Sequence, residues 1–458
     1  MKTFSIKFLF KKILAILTFL MLATFSKKKL RFTFEMFRHG ARSPFLLDEN
    51  NKDVYGNRWE GSGELTEVGM RMHYLLGYRN RQIYGDRLNI NKFDTKEIYI
   101  ISTNINRTIE SAYSQLTGFF PPGTGETLTE NQLKKALPPF IFPFDFTSEL
   151  KRLGSYVLPD GANVFPIDNF LIEDKDFELQ NAKYCKGAAD LYNKRNENPV
   201  FKNFTRNLQE KYASRIYNIL GKSKSEYDLD IYENVYQLFD SFITGYTDGR
   251  NFPKILQNNF TLEEYKSLTD QFLYMDMYNF AIPNNYTGLY SMSPLMRKML
   301  EKMESRISID NKNTNIDRYD EKNPKMYIVS GHDTNVASLM VFMNQIFNTG
   351  KLMMPTYAAS VYLELEYDNE IVGDEKWNVN FLFNDQTIFS IGYKEFKDKI
   401  NSRLISDDEI NKYCQFDDNN SNTIKLNFPY YFVLNIVLGV AVLLMGCLVA
   451  YTVWCNKN

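Results

Sequence analysis

Three short apolar segments constrain the fold of this 458-residue chain more than any other feature, because each has the length of a buried strand. They are Arg31 to Phe37, Glu97 to Ser102 and Lys325 to Ser330. The last two lack a regular alternation of polar and apolar residues, which is typical of strands covered on both faces of a parallel sheet. Helical patterns lie between them, so we predict an α/β fold with a mostly parallel sheet flanked by helices.

Helical patterns dominate the middle of the chain. Asp228 to Ile243 has the apolar period of a helix, and Thr261 with Glu264 forms a capping-box pattern at the start of a helix over residues 262–280. Methionines and leucines recur at helical spacing between Met292 and Met303, which predicts a helix packed into a core.

The order of these patterns predicts two interleaved domains. The helical stretch, residues 151–307, is expected to be an all-helical insert. It interrupts a single α/β domain formed by residues 27–150 and 308–415. Ser360 to Tyr367 and Trp377 to Phe383 alternate between apolar and polar residues and predict two later, partly exposed strands of that domain.

The amino-terminal end has the pattern of a signal peptide. Residues 1–12 contain four lysines, and Ile13 to Ser26 is an uncharged run of 14 residues that ends in small side chains. A helix that crosses a bilayer needs roughly 20 residues, so this run is too short to span. We therefore predict a signal peptide over residues 1–26.

The carboxyl-terminal end predicts a membrane anchor. Residues 431–454 form a run of 24 residues without a charge, flanked by aromatic side chains, and predict a transmembrane helix between a stalk (416–430) and a cytoplasmic tail (455–458). A lipid-anchor signal is the alternative, because the small polar residues 419–422 precede the apolar tail, although Lys457 argues against it. The transmembrane helix predicts a single-pass type I protein, and either anchor attaches the chain to the lipid bilayer with its main segment outside the cytosol.

The segment outside the cytosol is then lumenal or extracellular, at the cell surface, in the lysosome or in another secretory compartment. Asn-x-Ser/Thr sequons, the candidate glycosylation sites of a glycoprotein, occur at Asn106, Asn203, Asn259, Asn285 and Asn419. Cys185 and Cys414 are the two cysteines of this segment, and an even pair in an oxidising compartment predicts a disulfide.

Charge and cysteine content exclude several classes of function. The sequence has 54 Lys+Arg against 55 Asp+Glu, whereas a nucleic-acid-binding protein needs a basic surplus. With three histidines, four cysteines and no Cys-x-x-Cys pair, it lacks the clustered ligands of a zinc or iron-sulfur site. We predict no metal, no cofactor and no nucleic-acid partner, and the sequence leaves the oligomeric state open.

Basic and imidazole side chains follow each predicted buried strand. The three segments are Arg38-His39-Gly40-Ala41-Arg42-Ser43-Pro44, Ser102-Thr103-Asn104-Ile105-Asn106-Arg107-Thr108 and Ser330-Gly331-His332-Asp333-Thr334. Ligands bind beyond the carboxyl ends of strands in open α/β sheets, so we expect three arginines and two histidines to converge there. Guanidinium groups match the geometry of phosphate oxygens, which predicts a phosphate site.

This set of side chains suits phosphoryl transfer through a covalent histidine. A neutral imidazole attacks phosphorus while the arginines neutralise the oxygens. Asp333 is expected to protonate the leaving alkoxide and His332 to donate to the phosphate, after which water opens the phosphohistidine with the same carboxylate as base. His73 lies on a predicted helix away from the strand ends and is expected to be structural.

At these residues the sequence resembles the histidine acid phosphatase family, the acid phosphatase and phytase branch of the histidine phosphatases. The Arg-His-Gly-x-Arg-x-Pro motif has five fixed positions. The resemblance extends to Gly63 to Thr66 with Gly69, His73 to Gly77, Ser102-Thr103, Arg107-Thr108, Phe119 to Gly123 and Ser330 to Thr334. It covers the α/β part well, while the insert is similar only in its helical character.

The resemblance implies a role for each motif residue. His39 would be the nucleophile, Arg38, Arg42, Arg107 and His332 the phosphate ligands, and Asp333 the proton donor. All six positions are unaltered, whereas Asn335 stands where Thr is frequent. The implied function is a membrane-anchored acid phosphatase that hydrolyses phosphate monoesters at acidic pH through a phosphohistidine.

Two alternatives stay open at this point. A catalytically inactive receptor or adhesion glycoprotein would be expected to have lost at least one of the six polar groups. A phosphotransferase or mutase would use the same phosphohistidine in a site that excludes water. The substrate is also open, because phytate, sugar phosphates, phosphotyrosine and lysophospholipid phosphates are all compatible with the motifs.

Overall fold

A computed structural model describes residues 28–137, 145–169, 185–250, 252, 254–281, 284–311 and 323–415. The predicted signal peptide, stalk, transmembrane helix and cytoplasmic tail lie outside the described residues. Within the described ranges, no helix combines the length and the apolarity that a bilayer crossing requires.

Seven strands of the described residues form one sheet. They are β1 Lys28–Arg38, β2 Ile98–Ser102, β3 Asp168–Asn169, β4 Met326–Gly331, β5 Ser360–Asp368, β6 Trp377–Phe383 and β7 Gln386–Gly392. Their order in the sheet is β3-β2-β4-β1-β5-β6-β7. All five strands expected from the sequence are present, and the main difference is that β1 begins three residues earlier than predicted.

The sheet is mixed, which corrects the prediction of a mostly parallel one. The strands β3, β2, β4 and β1 pair in parallel, whereas β5, β6 and β7 continue from β1 by antiparallel pairing. A two-residue turn, Asn384-Asp385, joins β6 to β7. So short a connection can only reverse the chain, because parallel neighbours need a crossover of a dozen or more residues.

Helices cover the sheet and form most of the remaining structure. They are α1 Glu67–Asn80, α2 Asp86–Leu88, α3 Asn106–Phe119, α4 Glu130–Leu133, α5 Thr147–Leu153, α6 Lys186–Asn193, α7 Pro199–Leu220, α8 Tyr232–Thr247, α9 Lys254–Asn259, α10 Leu262–Met275, α11 Asn284–Asn311, α12 Asp333–Phe347, α13 Tyr393–Asn401 and α14 Asp407–Cys414. Two π-helical turns, Arg81–Gly85 and Asp276–Ala281, extend α1 and α10.

The predicted helix starts are partly confirmed. Thr261 caps α10 by accepting from the Glu264 N–H at 3.1 Å. The helix expected from Asp228 begins only at Tyr232. The side chain of Asp228 accepts from the Asp230 N–H at 3.0 Å, an Asx turn that competes with the helical conformation.

Apolar side chains cover both faces of the sheet. On one face, the methionine stripe of α11 is fully buried against strand residues such as Phe34 and Val329, which confirms its expected place in a core. On the other face, Leu116 of α3 packs with Ile100 and Tyr362. Burial on both faces explains why the sequences of β2 and β4 show no alternation.

The helices between β3 and α11 have a separate, largely aromatic core. Phe239 and Phe242 of α8 pack against Tyr265 and Phe272 of α10. The stretch predicted to be all-helical has one exception, since Asp168–Asn169 pairs with β2 as the edge strand β3.

The predicted disulfide joins Cys185 and Cys414, with 4.1 Å between the Cα atoms and 229 residues between the cysteines in sequence. Both cysteines are buried beside Ile410. The bond ties the chain just before α6 to the end of α14 and closes a long loop, which restricts the unfolded state most.

The sequon asparagines differ in exposure. Asn106 and Asn203 are exposed and Asn259 is half-buried. Asn285 lies on α11, and Asn419 is outside the described residues. The prediction of glycosylation therefore has its most accessible candidates at Asn106 and Asn203.

Candidate active site

The parallel half of the sheet brings the three predicted motifs to one edge. The last residue of β1, Arg38, lies opposite Gly331 of β4, and the last residue of β2, Ser102, lies opposite Ser330. Immediately beyond β1, the His39 N–H donates to the Gly331 carbonyl at 2.9 Å. The motif segments therefore leave the sheet side by side.

All six predicted site residues meet at this edge. A cavity of about 510 Å³ beyond the strand ends is lined by His39, Arg42, Arg107, His332 and Asp333. Arg38 joins them through an ion pair with Asp333, at 2.9 Å between Nη2 and Oδ2. The volume lies within the range of small-molecule sites.

His39 presents one ring nitrogen to the cavity as a lone pair. Its Nδ1 lies 2.8 Å from the Gly40 carbonyl oxygen, which can only accept, so Nδ1 carries the proton and Nε2 does not. Burial lowers the pKa of His39 well below its ordinary value, and Arg38 and Arg107 lower that pKa further. The imidazole is therefore neutral in acid, as a nucleophile must be.

A close backbone contact fixes the loop that carries His39. A Cβ on Gly40 would lie 2.4 Å from the Gly69 carbonyl oxygen in α1, a distance at which only glycine fits. The Gly40 N–H donates to the Ser111 hydroxyl of α3 at 3.1 Å. The predicted N-cap Thr66 accepts from the Gly69 N–H at 3.3 Å, so the start of α1 is anchored beside the same loop.

Arg38 is held on three sides. Besides its ion pair with Asp333, Nη1 donates to the Pro355 carbonyl at 2.9 Å, and the guanidinium lies 4.1 Å from the ring centroid of Tyr357. The Tyr357 ring also lies 5.8 Å from the imidazole of His39. The loop before β5 thus orients both residues.

Arg42 forms a buried ion pair with the helical part of the molecule. Its Nη2 lies 2.8 Å from Oδ1 of Asp240 in α8, and only 4% of each side chain is exposed. The guanidinium also stacks over Phe45, 3.7 Å from the ring centroid. Burial alone would lower the pKa of Arg42, but the charge of Asp240 raises it well above its ordinary value.

Arg107 and His332 are in direct contact. Arg107 Nη2 lies 3.3 Å from His332 Nδ1, and because a guanidinium can only donate, this imidazole nitrogen accepts. The other ring nitrogen of His332, Nε2, then donates to the Thr103 hydroxyl at 3.0 Å. Burial lowers the pKa of Arg107 to about 10 and that of His332 to about 3, so at pH 5 the first is charged and the second neutral.

This geometry differs from the expected role of His332 as a donor to phosphate. Its one proton is directed at Thr103, and its lone pair is directed at Arg107. Donation to a phosphate oxygen therefore requires Nδ1 of His332 to gain a proton and Arg107 to move away from it. Asn335, the departure from the family pattern, is buried and accepts from the His332 N–H at 2.9 Å.

Asp333 stands at the first position of α12, with 26% of its side chain exposed. Burial alone would raise the pKa of its carboxyl group, but the charges of Arg38 and Arg42 lower that pKa below its ordinary value. The Thr334 N–H also donates to this carboxylate at 2.9 Å. These interactions favour the ionised form of the expected proton donor.

Three guanidinium donors in this cluster make no hydrogen bond within the described part of the chain. They are the buried Nε atoms of Arg38, Arg42 and Arg107. A buried donor without a partner costs free energy, which is recovered when an anion binds beside it. Together with the lone pair of His39, they form a site that suits a phosphoryl group.

Three residues that position this cluster are not predicted from the sequence: Thr103, Asp240 and Tyr357. Thr103 lies inside a motif segment but received no role. A signal for Asp240 existed, since a carboxylate stands between apolar residues of a periodic helix. Tyr357 lies in a loop without a motif, and the sequence gives no sign that it reaches the site.

His73 is buried, and its Nε2 lies 3.1 Å from the carbonyl oxygen of Arg38. Its Nδ1 lies 3.2 Å from the side chain of Gln115, which donates to the buried Glu35 at 2.9 Å. Burial lowers the pKa of His73 to about 4, although its two hydrogen bonds act in the opposite direction. His73 does not line the cavity, but it contacts the last residue of β1 and is therefore closer to the strand ends than predicted.

Solved structures share the fold. The Hafnia alvei phytase in complex with myo-inositol hexakis sulphate superposes with a TM-score of 0.52 and 14% identity over 83% of this chain and 98% of that one. The Klebsiella sp. ASR1 phytase gives a TM-score of 0.51 with 15% identity over 82% of this chain and 85% of that one. At these identities the similarity shows the fold alone.

Curated relatives are acid phosphatases. The lysosomal acid phosphatase of Homo sapiens is 25% identical over 322 residues, which are 69% of this chain and 63% of that protein. Putative acid phosphatase 10 of Caenorhabditis elegans is 46% identical over 99 residues, 20% of this chain and 24% of that protein. The chain thus spans less than two thirds of the length of these relatives.

A family model covers most of the chain. It describes the histidine phosphatase superfamily, branch 2, and matches residues 7–382. The matched range includes all three motif segments and every residue that lines the cavity. With the mixed α/β sheet and the histidine-arginine cluster at its carboxyl edge, this match shows that the chain belongs to branch 2 of the histidine phosphatase superfamily.

Proposed function

We propose that this protein is an acid phosphatase that hydrolyses phosphate monoesters through a covalent phosphohistidine on His39. The observation that carries the proposal is the orientation of His39. Its Nδ1 proton is held by the Gly40 carbonyl, and its Nε2 lone pair belongs to a cavity with buried guanidinium groups. A phosphate ester is an anion and repels most nucleophiles. Cations around the nucleophile offset this repulsion, so the arrangement suits a phosphate ester.

The first step transfers the phosphoryl group to the enzyme. Nε2 of His39 attacks phosphorus, a P–N bond forms, and the ester P–O bond breaks. The leaving alkoxide takes a proton from Asp333, while Arg38, Arg42 and Arg107 neutralise the phosphoryl oxygens. The step consumes one proton from the carboxyl group and releases an alcohol.

The second step releases phosphate. A water molecule attacks phosphorus opposite His39, and the Asp333 carboxylate, now ionised, takes its proton. The P–N bond breaks, the electron pair returns to Nε2, and the enzyme is restored. Each residue ends in the protonation state in which it began.

An acidic pH favours the protonation states that both His39 and Asp333 need. Because the pKa of His39 is well below its ordinary value, the imidazole stays neutral and nucleophilic in acid. Phosphate binding places new negative charge beside Asp333 and engages Arg38, so the carboxyl group gains the proton that it must donate. We therefore expect an acidic optimum.

A rapid-quench experiment with a radiolabelled phosphate ester tests the proposal. The label should appear on His39 as an acid-labile, alkali-stable adduct, and turnover by His39→Ala should fall far more than tenfold, because a covalent nucleophile is lost. Thermal unfolding of the variant controls for loss of the fold. Turnover within about tenfold of the unaltered protein would exclude His39 as the nucleophile.

The same experiment separates the alternatives. An inactive receptor would give no adduct and no phosphate. A phosphotransferase would give the adduct but pass the label to an added alcohol rather than to water. Hydrolysis as the main outcome with an alcohol present supports the phosphatase.

We also propose that the enzyme is anchored to a membrane with its catalytic domain in a lumenal or extracellular compartment. The charge-free segment 431–454, the signal-peptide pattern at residues 1–26 and the Cys185–Cys414 disulfide support this. Relatives named lysosomal acid phosphatase favour an acidic lumen.

A further inference from the structure

The cavity has a second wall, outside the arginine-histidine cluster, that takes no part in the proposed chemistry. It is formed by Arg195, by Tyr232, Glu233 and Tyr236 of α8, and by Asp276 and Met277 of the π-helical turn after α10. This group of six is called the distal wall. The alcohol part of a bound ester must lie against it, because the phosphoryl group occupies the arginine cluster.

The positive charge of Arg195 in the distal wall is neutralised by a neighbouring carboxylate. The Arg195 guanidinium forms an ion pair with Glu233 and lies 4.6 Å from the ring centroid of Tyr232. Within the described residues, the lining of the cavity has no other Lys or Arg beyond the cluster around His39. A second phosphate on the substrate would thus meet no unpaired cation at this wall.

Asp276 adds an acidic group to the distal wall. Its carboxylate accepts from the Tyr232 hydroxyl. Burial raises the pKa of Asp276 to about 7, although the hydrogen bond from Tyr232 acts in the opposite direction. Whether ionised or protonated, a buried carboxyl group offers no positive charge, and burying a second phosphate dianion without a counter-charge is costly.

The remaining surface of the cavity is apolar and aromatic. Tyr232 and Tyr236 stack with 5.8 Å between ring centroids, and Met277 lies beside them on the lining. Phe45, which packs on Arg42, and Leu46 also line the cavity, while 37% and 40% of their surfaces remain exposed. Exposed apolar side chains at a cavity mouth mark a binding surface for an apolar group.

We propose, on the basis of the function proposed above, that the site selects esters with one phosphate on an aromatic or apolar alcohol and discriminates against a second phosphate. Glu233 and Met277 are the specificity-determining residues. Glu233 holds Arg195 away from a second phosphate, and Met277 contributes apolar surface against which the alcohol packs.

Two matched substrate pairs test the selection. Benzyl phosphate and methyl phosphate both have alkoxide leaving groups but differ in apolar surface, and burying a phenyl ring should favour the first by roughly tenfold or more in kcat/KM. Fructose 6-phosphate and fructose 1,6-bisphosphate differ by a second phosphate. The bisphosphate should be no better a substrate than the monophosphate, and phytate should be poorer than benzyl phosphate.

Two variants test the named residues. Glu233→Gln removes the partner of Arg195 and should raise the ratio of kcat/KM for fructose 1,6-bisphosphate over fructose 6-phosphate by about fivefold or more, because an interaction with one charge changes a rate by this order. Met277→Gln should reduce the preference for benzyl over methyl phosphate. The exposed Glu263→Gln on α10 is the control and should change neither ratio.

The possible outcomes separate the two proposals. This inference would be overturned if phytate or the bisphosphate were a better substrate than its monophosphate counterpart. Unchanged substrate ratios in both variants would also overturn it. Either result would leave the phosphatase assignment intact. Failure to release phosphate from any of these esters would overturn the proposed function and this inference with it.

Discussion

The guanidinium of Arg38 holds the carboxylate of Asp333, with 2.9 Å between Nη2 and Oδ2. One side chain is the expected phosphate ligand and the other the expected proton donor. The two charges neutralise each other, and the pKa of Asp333 is lowered as a result. As proposed above, a bound phosphate competes with Asp333 for Arg38, so we expect phosphate binding and protonation of the carboxyl group to be coupled.

The first prediction follows from this coupling. Sulfate, which mimics phosphate but does not titrate near pH 5, should draw charge from Arg38 and raise the pKa of Asp333. Because a raised pKa means proton binding, sulfate binding should take up as much as about one proton per site at pH 4 to 5. Calorimetry in two buffers of different ionisation enthalpy measures this uptake. Asp333→Asn should abolish it, and uptake that persists in the variant would assign the proton to another group.

The second prediction concerns the role of Asp333 in turnover. Asp333→Asn should slow benzyl phosphate by roughly 10² to 10⁴-fold, because an alkoxide must be protonated as it leaves. 4-Nitrophenyl phosphate should be affected much less, since nitrophenolate is a stable leaving group. Steady-state kcat/KM values on the two esters measure the difference. Equal losses on both would remove Asp333 from the donor role.

The third prediction concerns the buried pair of Arg42 and Asp240. Asp240→Asn leaves the Arg42 charge buried without its counter-ion and should lower the free energy of unfolding by roughly 3 kcal/mol. Urea unfolding measures the loss. The control is Asp270→Asn, which breaks an exposed pair with Lys266 and should cost less than about 0.5 kcal/mol. If the two variants lose the same small amount, the buried pair does not link the loop to the helical part.

The fourth prediction concerns His73 and acid stability. Its pKa in the folded protein is about 4, below the ordinary value of 6.5, so its contribution to stability is present above pH 6.5 and is lost as the pH falls through 4. The loss should reach about 3 kcal/mol. Urea unfolding between pH 7 and 4 should show a flatter dependence for His73→Gln. An unchanged slope would mean that His73 is already charged when folded.

The fifth prediction concerns the membrane anchor. Truncation after about Asn422 should release active enzyme whether the anchor is a helix or a lipid, so it serves only to confirm anchoring. Phosphatidylinositol-specific phospholipase C should leave a spanning protein on membranes, and a tag placed after Asn458 should survive in the mature protein. Release by the lipase together with loss of the tag would replace the transmembrane helix by a lipid anchor.

The antiparallel half of the sheet shows why part of the fold could not be predicted. β5 and β6 were predicted as strands from their alternation, but a period of two gives no strand direction. The direction follows from the connections, here the two-residue turn Asn384-Asp385 between β6 and β7. Residues 168–169 could not be predicted as a strand at all, because two residues have no period.

The candidate site is likewise only partly predictable from the sequence. The sequence by itself determined the chemical groups, because Arg-His-Gly-x-Arg-x-Pro, Arg107 and His332-Asp333 each follow an apolar strand, and parallel strands end at one edge of a sheet. Only the tertiary structure decided their pairing. Asp240 forms an ion pair with Arg42, although 198 residues separate them in sequence. Tyr357 stacks on Arg38, and the proton of His332 is directed at Thr103. Such contacts depend on how separate elements pack, and no local pattern of residues records them.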